Sequence, residues 1–305
     1  MILTADWHLR RTTPRARVDN FFSSMEKKVR FILTLAQKSP PLLVAGDFFH
    51  HPKPGPFLEQ WIINLLNEYK VKPIVVPGQH DLPSHSLARI QDSGLGVLCA
   101  AGAIELMLGE SLGVCQSSSN YTIVGVPYGE FPPEDIKFGR DDKKRILLWH
   151  HMVINEKPLW PGQVADKATT ILRKYGKLFN LIVTGDNHQT FTNVVKKKGM
   201  MPNCWLINPG SIMRTTISQF DHKPCVYKYE SDKIEQILLP IDDDVFDLNE
   251  INTTKQKDER IMAFVDGLND EWEASLSFEK NLEMFFQANS VKKEVKELIW
   301  KCLEA

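Results

Sequence analysis

Five times in the first 190 residues, a short apolar or β-branched run ends in a cluster of Asp, His, Gln and Gly. Asp6-Trp7-His8 closes the run at 1–5. Gly46-Asp47 closes 42–46, and Gly78-Gln79-His80-Asp81 closes 73–77. His150-His151 closes 145–149, and Gly185-Asp186-Asn187-His188 closes 181–185. A further run at 121–126 ends in no such cluster. Between these runs lie amphipathic stretches at 18–38, 56–70, 84–93 and 164–176, which predict helices. Strand and helix in alternation predict layered α/β architecture, with polar clusters gathered where strands end. From 190 to 240 the pattern becomes consecutive strands, at 191–195, 204–208, 225–229 and 234–239. A polar stretch at 242–260 predicts a boundary, and 261–305 predicts helix only. The expected domains are therefore 1–240 and a helical region at 241–305, with a linker over about 242–260.

The clusters supply carboxylates, imidazoles and an amide, but no cysteine. Such a donor set suits borderline to hard divalent ions such as Mn²⁺, Fe²⁺ or Zn²⁺. It exceeds what one ion needs, and a carboxylate that bridges two ions is the arrangement that hydrolyses phosphate esters. In Asp6-x-His8 the two side chains share a face if the backbone is extended, so the pair is expected to chelate from an extended chain.

The ordered set D-x-H, G-D, G-Q-H-D, H and G-D-x-H resembles the calcineurin-like metallophosphoesterase superfamily over roughly residues 1–240. Asp6-Trp7-His8-Leu9 and the order of elements look most like bacterial and phage SbcD-type nuclease subunits. Those pair with an SMC-like ATPase, SbcC. The resemblance implies a four-layer α/β/β/α sandwich and a two-metal phosphodiesterase acting on DNA, with a hydroxide between the ions as nucleophile. It implies that Asp6, His8 and His188 hold one ion, that Gln79, His150 and Asp186 hold the other, and that Asp47 bridges. His80 would stand over the phosphate as acid or base, oriented by Asp81. Asn208-Pro209-Gly210-Ser211 recurs in the superfamily as a turn near the site. A homodimer, and C-terminal helices that grip the partner ATPase, also follow from the resemblance.

Two positions depart from the superfamily pattern. Gln79 stands where Asn is usual, and Asp186 where His is usual. Both fall on the second ion and shift it toward oxygen-preferring metals, so two divalent ions with Mn²⁺ preferred are expected. His50, His51 and His85 follow the second and third clusters and are read as lining or structural residues. His222 is read as structural.

Formal net charge is −1, so the whole chain is no polycation, and contact with nucleic acid must come from local basic residues. Arg10, Arg11, Arg15 and Arg17 follow the first cluster. Lys196, Lys197 and Lys198 sit at a predicted hairpin turn, and Arg214 follows Asn208–Ser211. Arg10, Arg11, Arg15, Arg17 and Arg214 are the candidate phosphate-backbone contacts. Five scattered cysteines without a CxxC pair exclude a disulfide framework or a cysteine zinc site. The N-terminal segment reads as a core strand, no apolar run spans a membrane, and a cytoplasmic location is expected. Three functions compete: a DNA nuclease working with an ATPase, a small-molecule or nucleotide phosphoesterase, and a non-enzymatic assembly subunit. In the tail, Phe278, Leu282, Phe285 and Phe286, then Val291, Val295, Leu298, Ile299 and Cys302, form two apolar helical stripes.

Overall fold

A computed structural model of the chain describes residues 1–108, 115–117, 120–133, 136, 138, 143–157, 165–196, 203–243, 245–247, 283, 286–287 and 291–297. The first compact unit runs from Met1 to Phe246 and the second from Asp247 to Ala305.

Two six-stranded sheets form the first unit. One contains β1 (Ile2–Thr4), β2 (Leu42–Ala45), β3 (Ile74–Val76), β4 (Glu105–Leu106), β13 (Cys225–Glu230) and β14 (Lys233–Leu238). Its order is β14-β13-β1-β2-β3-β4, with β1 to β4 parallel and β13 and β14 joined antiparallel. The other contains β5 (Cys115–Ser117), β6 (Tyr121–Val126), β7 (Lys144–Trp149), β10 (Leu181–Thr184), β11 (Phe191–Val195) and β12 (Cys204–Asn208). Its order is β11-β12-β10-β7-β6-β5, parallel in the middle and antiparallel at both edges. β8 (Val153–Ile154) and β9 (Asp166–Lys167) form a small parallel pair.

The period-2 alternation of strand side chains builds the layers. In β2, Leu42 and Val44 face one core while Leu43 and Ala45 face another. In β7, Ile146 and Leu148 join Leu43 and Ala45 in the core between the sheets, and Leu147 and Trp149 face outward. Helix α1 (Phe21–Lys38) covers the outer face of the first sheet with Phe21, Met25, Val29, Ile32, Leu33 and Ala36. Asn20 caps it by accepting from Ser23 N at 3.1 Å. Helix α2 (Pro56–Tyr69) and the short α3 (Gly94–Ala100) join that layer. Helix α4 (Ala168–Tyr175) covers the second sheet through Ile171, Leu172 and Tyr175. Helices thus flank both sheets, as the α/β/β/α expectation requires.

The expected helix at 84–93 forms only as 3₁₀ turns, the longer at Leu87–Asp92. Pro83 opens a 3₁₀ turn, and Ser84 and His85 have φ of 54° and 53°, which no α-helix accommodates. The α-helix starts at Gly94, where the Ser93 hydroxyl caps Gly96 N. The polar stretch after 240 still belongs in part to the first unit: Val245 and Phe246 are buried, and Val18 N donates to Val245 O at 3.0 Å. In the second unit, 293–297 are helical and Phe286 is buried beneath the Lys296 ammonium. Phe278, Leu282, Phe285, Leu298, Ile299 and Cys302 lie outside the described residues. No helix among the described residues is long and apolar enough to cross a membrane.

Candidate metal centre

All five clusters meet at one edge of the first unit, where β1, β2, β3, β7 and β10 end. The first two are zipped together through backbone. Asp6 N donates to Gly46 O at 3.1 Å, His8 N to Asp47 O at 2.9 Å, and Leu9 N to Phe48 O at 2.9 Å. Trp7 is fully buried, stacks on Phe48 with ring centroids 5.0 Å apart, and donates its indole N–H to Thr4. The chain around it is not extended, contrary to the sequence expectation. Asp6 and His8 have φ of 49° and 45°, and Asp47 and Asp186 have 49° and 76°. Four non-glycine residues in the left-handed region cost on the order of 1–2 kcal/mol each, which the surrounding fold must offset. Trp7, locked in the core, turns Asp6 and His8 back toward the same space.

Glycines set the closeness of the cluster. A Cβ at Gly46 would enter the His150 ring, and one at Gly78 would enter the Asp47 carboxylate. Thr184, Asn187 and Asn208 hold the last loop: Thr184 Oγ1 donates to Asn208 Oδ1 at 3.0 Å. Asn208 Nδ2 donates to the carbonyls of Asn187 and Gln189, both at 2.6 Å. Asp186 N donates to Asp6 Oδ1 at 3.0 Å, which ties that loop to the first cluster.

The side chains of the clusters approach one another closely, donor atom to donor atom, as groups able to hold a metal ion do. His150 Nδ1–H donates to Ala45 O at 2.7 Å, so its Nε2 carries a lone pair. That lone pair faces Gln79 Oε1, another acceptor, at 2.6 Å. The Gln79 amide is fixed in that sense because its Nε2 donates to Asp186 Oδ1 at 2.7 Å. His8 Nε2 and His188 Nε2 face each other at 3.0 Å. Asp47 Oδ2 lies 3.6 Å from His8 Nε2 and 3.7 Å from His150 Nε2. Asp47 Oδ2 and Asp6 Oδ2 are buried without any hydrogen-bond partner. Buried carboxylate oxygens without partners are expensive unless something positive completes them. Among the described residues, three sets of atoms converge closely enough to share an ion: Asp6, His8 and His188; Asp6, Asp47 and His150; and His8, His50 and His80.

Electrostatics point the same way. Burial, then Asp47, pushes Asp6 well above the usual carboxylate range. Burial pushes Asp47 up to about 7, against the opposing pull of His80. Burial also drives His8 well below the usual histidine value and His188 down to about 4. His150 is lowered for the same reason. Neutral imidazoles and acids reluctant to ionise are what a donor set looks like without its cations, since divalent ions reverse that preference.

Residues 1–190 match the family model described as calcineurin-like phosphoesterase. The chain belongs to that family. It is therefore a phosphoesterase, a hydrolase of a family that binds divalent metals, and its clustered His and Asp side chains are of the kind that hold them. No curated protein matches the chain. Among solved structures it is similar to the protein TT1561 of Thermus thermophilus, at 11% identity over 71% of this chain and 95% of that one, TM-score 0.40. It is also similar to the phosphopantetheinyl hydrolase of Mycobacterium tuberculosis, at 15% identity, 77% and 94% coverage, TM-score 0.41. A third is a 5'-nucleotidase from Staphylococcus aureus, described as putative and in complex with alpha-ketoglutarate. There the identity is 13%, coverage 84% and 57%, and TM-score 0.41.

The structure corrects three of the roles assigned around this phosphoesterase centre. Asp81 does not orient His80. Its two oxygens accept from the backbone N–H of Phe48, Phe49 and Gly78, at 3.1, 2.8 and 2.9 Å. It therefore fixes the turn that carries Asp47, while His80 Nδ1 donates to His50 O at 3.1 Å. Gln79–Asp81 is a 3₁₀ turn, in which successive side chains diverge by a third of a turn. Arg17 is not available to substrate. It is buried, pairs with Asp19 at 2.7 Å, and donates to Arg214 O at 2.6 Å. Arg214 spends its guanidinium on the carbonyls of Phe220 and Asp242, at 3.0 and 2.9 Å.

Arg10 reaches the rim: its guanidinium donates to His50 Nε2 at 2.9 Å and to Thr12 Oγ1. Arg11 is exposed and lies 4.1 Å over the Phe57 ring, and Arg15 is exposed. Lys196 is exposed, and Lys197 and Lys198 lie outside the described residues. His50, at about 4 through burial and Arg10, packs its ring parallel to His80. His151 pairs with Asp166 at 2.8 Å, and His222 Nε2 donates to Ser211 O at 2.8 Å. Thr184 carries no sequence signal, and Asn187 appears in the fifth cluster only as a neighbour of Asp186 and His188. Their roles, as polar residues inside or just after a core strand, are visible only once burial is known.

Proposed function

We propose that this protein is a two-metal phosphodiesterase whose substrate is a DNA strand. The observation that carries the reading is the facing of two acceptors, His150 Nε2 and Gln79 Oε1, together with the close approach of His8 Nε2 to His188 Nε2, around the orphaned Asp47 Oδ2. Asp6, His8 and His188 would hold one ion, Gln79, His150 and Asp186 the other, and Asp47 both. Divalent ions there would draw charge from a phosphate and acidify a water. The chain's own residues do the rest. Ala45 O keeps the proton of His150 on Nδ1, so that Nε2 stays a donor atom. Asp186 holds Gln79 in its ligating orientation. His50 O keeps one His80 proton on Nδ1, leaving Nε2 as the atom that would first take up a proton and then hand it to the leaving oxygen. The SbcD-like order of motifs supports DNA as substrate and an SMC-type ATPase as partner.

One observation favours a second reading, a small-molecule phosphoesterase: Arg17 and Arg214 are consumed by structure, which leaves a thinner basic rim. The test is hydrolysis by metal-stripped protein reloaded with Mn²⁺ or Zn²⁺. Cleavage of a single-stranded oligonucleotide at a kcat/KM above that for bis-p-nitrophenyl phosphate supports the nuclease. Turnover of the small diester or of nucleotides alone, with no strand cut, supports the second reading and refutes the first.

A further inference from the structure

A turn beside the centre carries two aromatic side chains, Tyr128 and Phe131, that remain exposed although their rings neighbour His150, His151 and Trp149. Residues Pro127-Tyr128-Gly129-Glu130 leave the end of β6, and Glu130 N donates back to Pro127 O at 3.2 Å. Gly129, third in the turn, has φ of 83°, the conformation a type II turn demands at that position. The loop is pinned on both sides. Tyr128 N donates to Pro77 O at 3.0 Å, directly before the Gly78–Asp81 cluster. Trp149 Nε1 donates to Glu130 O at 3.0 Å, directly before His150, and Tyr175 Oη donates to Pro132 O at 3.1 Å.

This rigid turn presents Tyr128 and Phe131 to solvent at 37% and 62% exposure. The Tyr128 ring sits between His85 and His150, 6.3 Å from the latter's centroid. The Phe131 ring lies edge-on to His151 and Trp149, at 5.4 and 5.8 Å, and those two stack on each other at 4.1 Å. A phenylalanine so exposed on a loop fixed at four points does not serve the core, which Trp149 already closes. Fixed aromatic faces next to a phosphate-cleaving centre bind unpaired bases by stacking, whatever the base.

We propose that Tyr128 and Phe131 form a stacking platform for a nucleobase flanking the scissile phosphate, a subsite that selects an unpaired strand. The inference rests on the nuclease reading above. The platform adds the preference for single-stranded substrate and gives affinity without basic residues, which suits a rim whose Arg17 and Arg214 are committed elsewhere.

The experiment compares two substrates of equal length on the Mn²⁺-loaded full chain: an ordinary single-stranded oligonucleotide and the same backbone carrying abasic sites around the cleavage point. The wild type is expected to show a KM roughly tenfold lower for the base-bearing strand, the scale of one to two stacked bases. In Phe131→Ala and Tyr128→Ala that preference collapses; kcat on the abasic strand stays with wild type in Phe131→Ala, and Phe131→Trp restores the preference. Circular dichroism melts of the exposed-position variants check that the fold is intact. Equal KM for both strands in the wild type, or a preference unchanged in both alanine variants, overturns the platform while the nuclease reading stands. If neither strand is bound or cut while bis-p-nitrophenyl phosphate is hydrolysed, the nuclease reading falls and takes the platform with it.

Discussion

Lys28 offers a test of the packing behind the metal centre. It lies on α1, is 5% exposed, and donates to Ile212 O at 3.1 Å; Ile212 N in turn donates to Asp6 O at 3.4 Å. The lysine thus holds the segment that backs a ligand. Burial, and then the nearby Arg17 and Arg214, lower its ammonium from 10.5 to about 7. In the unfolded chain it stays charged up to its ordinary value. Between the two values the unfolded state holds a proton that the folded state has released, so stability rises with pH over that window. At 1.36 kcal/mol per pH unit the full window is worth ~5 kcal/mol, and the part between pH 7 and pH 10 about 3–4 kcal/mol. Lys28→Met removes the titration but leaves Ile212 O without a donor, a loss of about 1–3 kcal/mol. The variant is therefore expected to be more stable than wild type at pH 7 by ~1–3 kcal/mol and less stable at pH 10. Urea melts of both proteins in chelator, at half-unit steps from pH 7 to 10, give the difference directly. Tyrosines and cysteines that titrate in the same range are common to both proteins and cancel. A difference that stays constant across the window refutes the buried, half-neutral lysine.

Asp47→Asn is expected to abolish hydrolysis while the protein stays folded. Mn²⁺-dependent cleavage retained in that variant would remove the two-metal mechanism. His80→Ala keeps its metals by elemental analysis and loses on the order of 10²–10⁴ in kcat, the scale of acid–base assistance; loss of metal instead would make His80 a ligand. Gly46→Ala forces a methyl into the His150 ring; with His150 a ligand as proposed, metal affinity is expected to weaken at least tenfold in calorimetry. Gln79 and Asp186 make the two sites unequal and oxygen-rich, so titration of stripped protein with Mn²⁺ is expected to show two separate affinities, with Zn²⁺ the poorer activator.

The fold was legible where a single physical rule dominates. Strands such as 121–126 and 204–208 stand where the apolar runs place them, because each is buried in a sheet and the hydrophobic pattern decides; 191–195 also forms, as a half-exposed edge strand. Of the helix expected at 84–93 only a 3₁₀ segment at Leu87–Asp92 forms, because Ser84 and His85 take left-handed backbone, which apolar periodicity does not reveal. The pairs β8 and β9, two residues each, carry no pattern long enough to read. The site was legible as a set of residue types and only partly as geometry. That Asp6, His8, Asp47 and Asp186 take left-handed backbone is unreadable locally, since the propensity of each opposes it. The partners of Arg17 and Arg214 are equally hidden: they lie far along the chain, and a loop arginine bound for solvent has the same local sequence as one bound for a buried carbonyl.

The left-handed residues proposed as ligands give the arrangement its physical sense. A carboxylate on an extended strand end retains rotamers that turn it toward water. Here Asp6 and Asp47 are wholly buried, pinned by N–H donors from Asp186 and His80, and each keeps one oxygen unpaired. Backbone strain, desolvation and unsatisfied oxygens are all costs to the metal-free protein, and all act on the same few atoms. A divalent ion relieves the last two together, so the differential binding is large where the fold has concentrated them. The neighbouring Lys28, Arg17 and Asp81 make that concentration possible. They hold the backbone of Ile212, Arg214, Phe48 and Phe49 in place, so that the ligands themselves need no other partner.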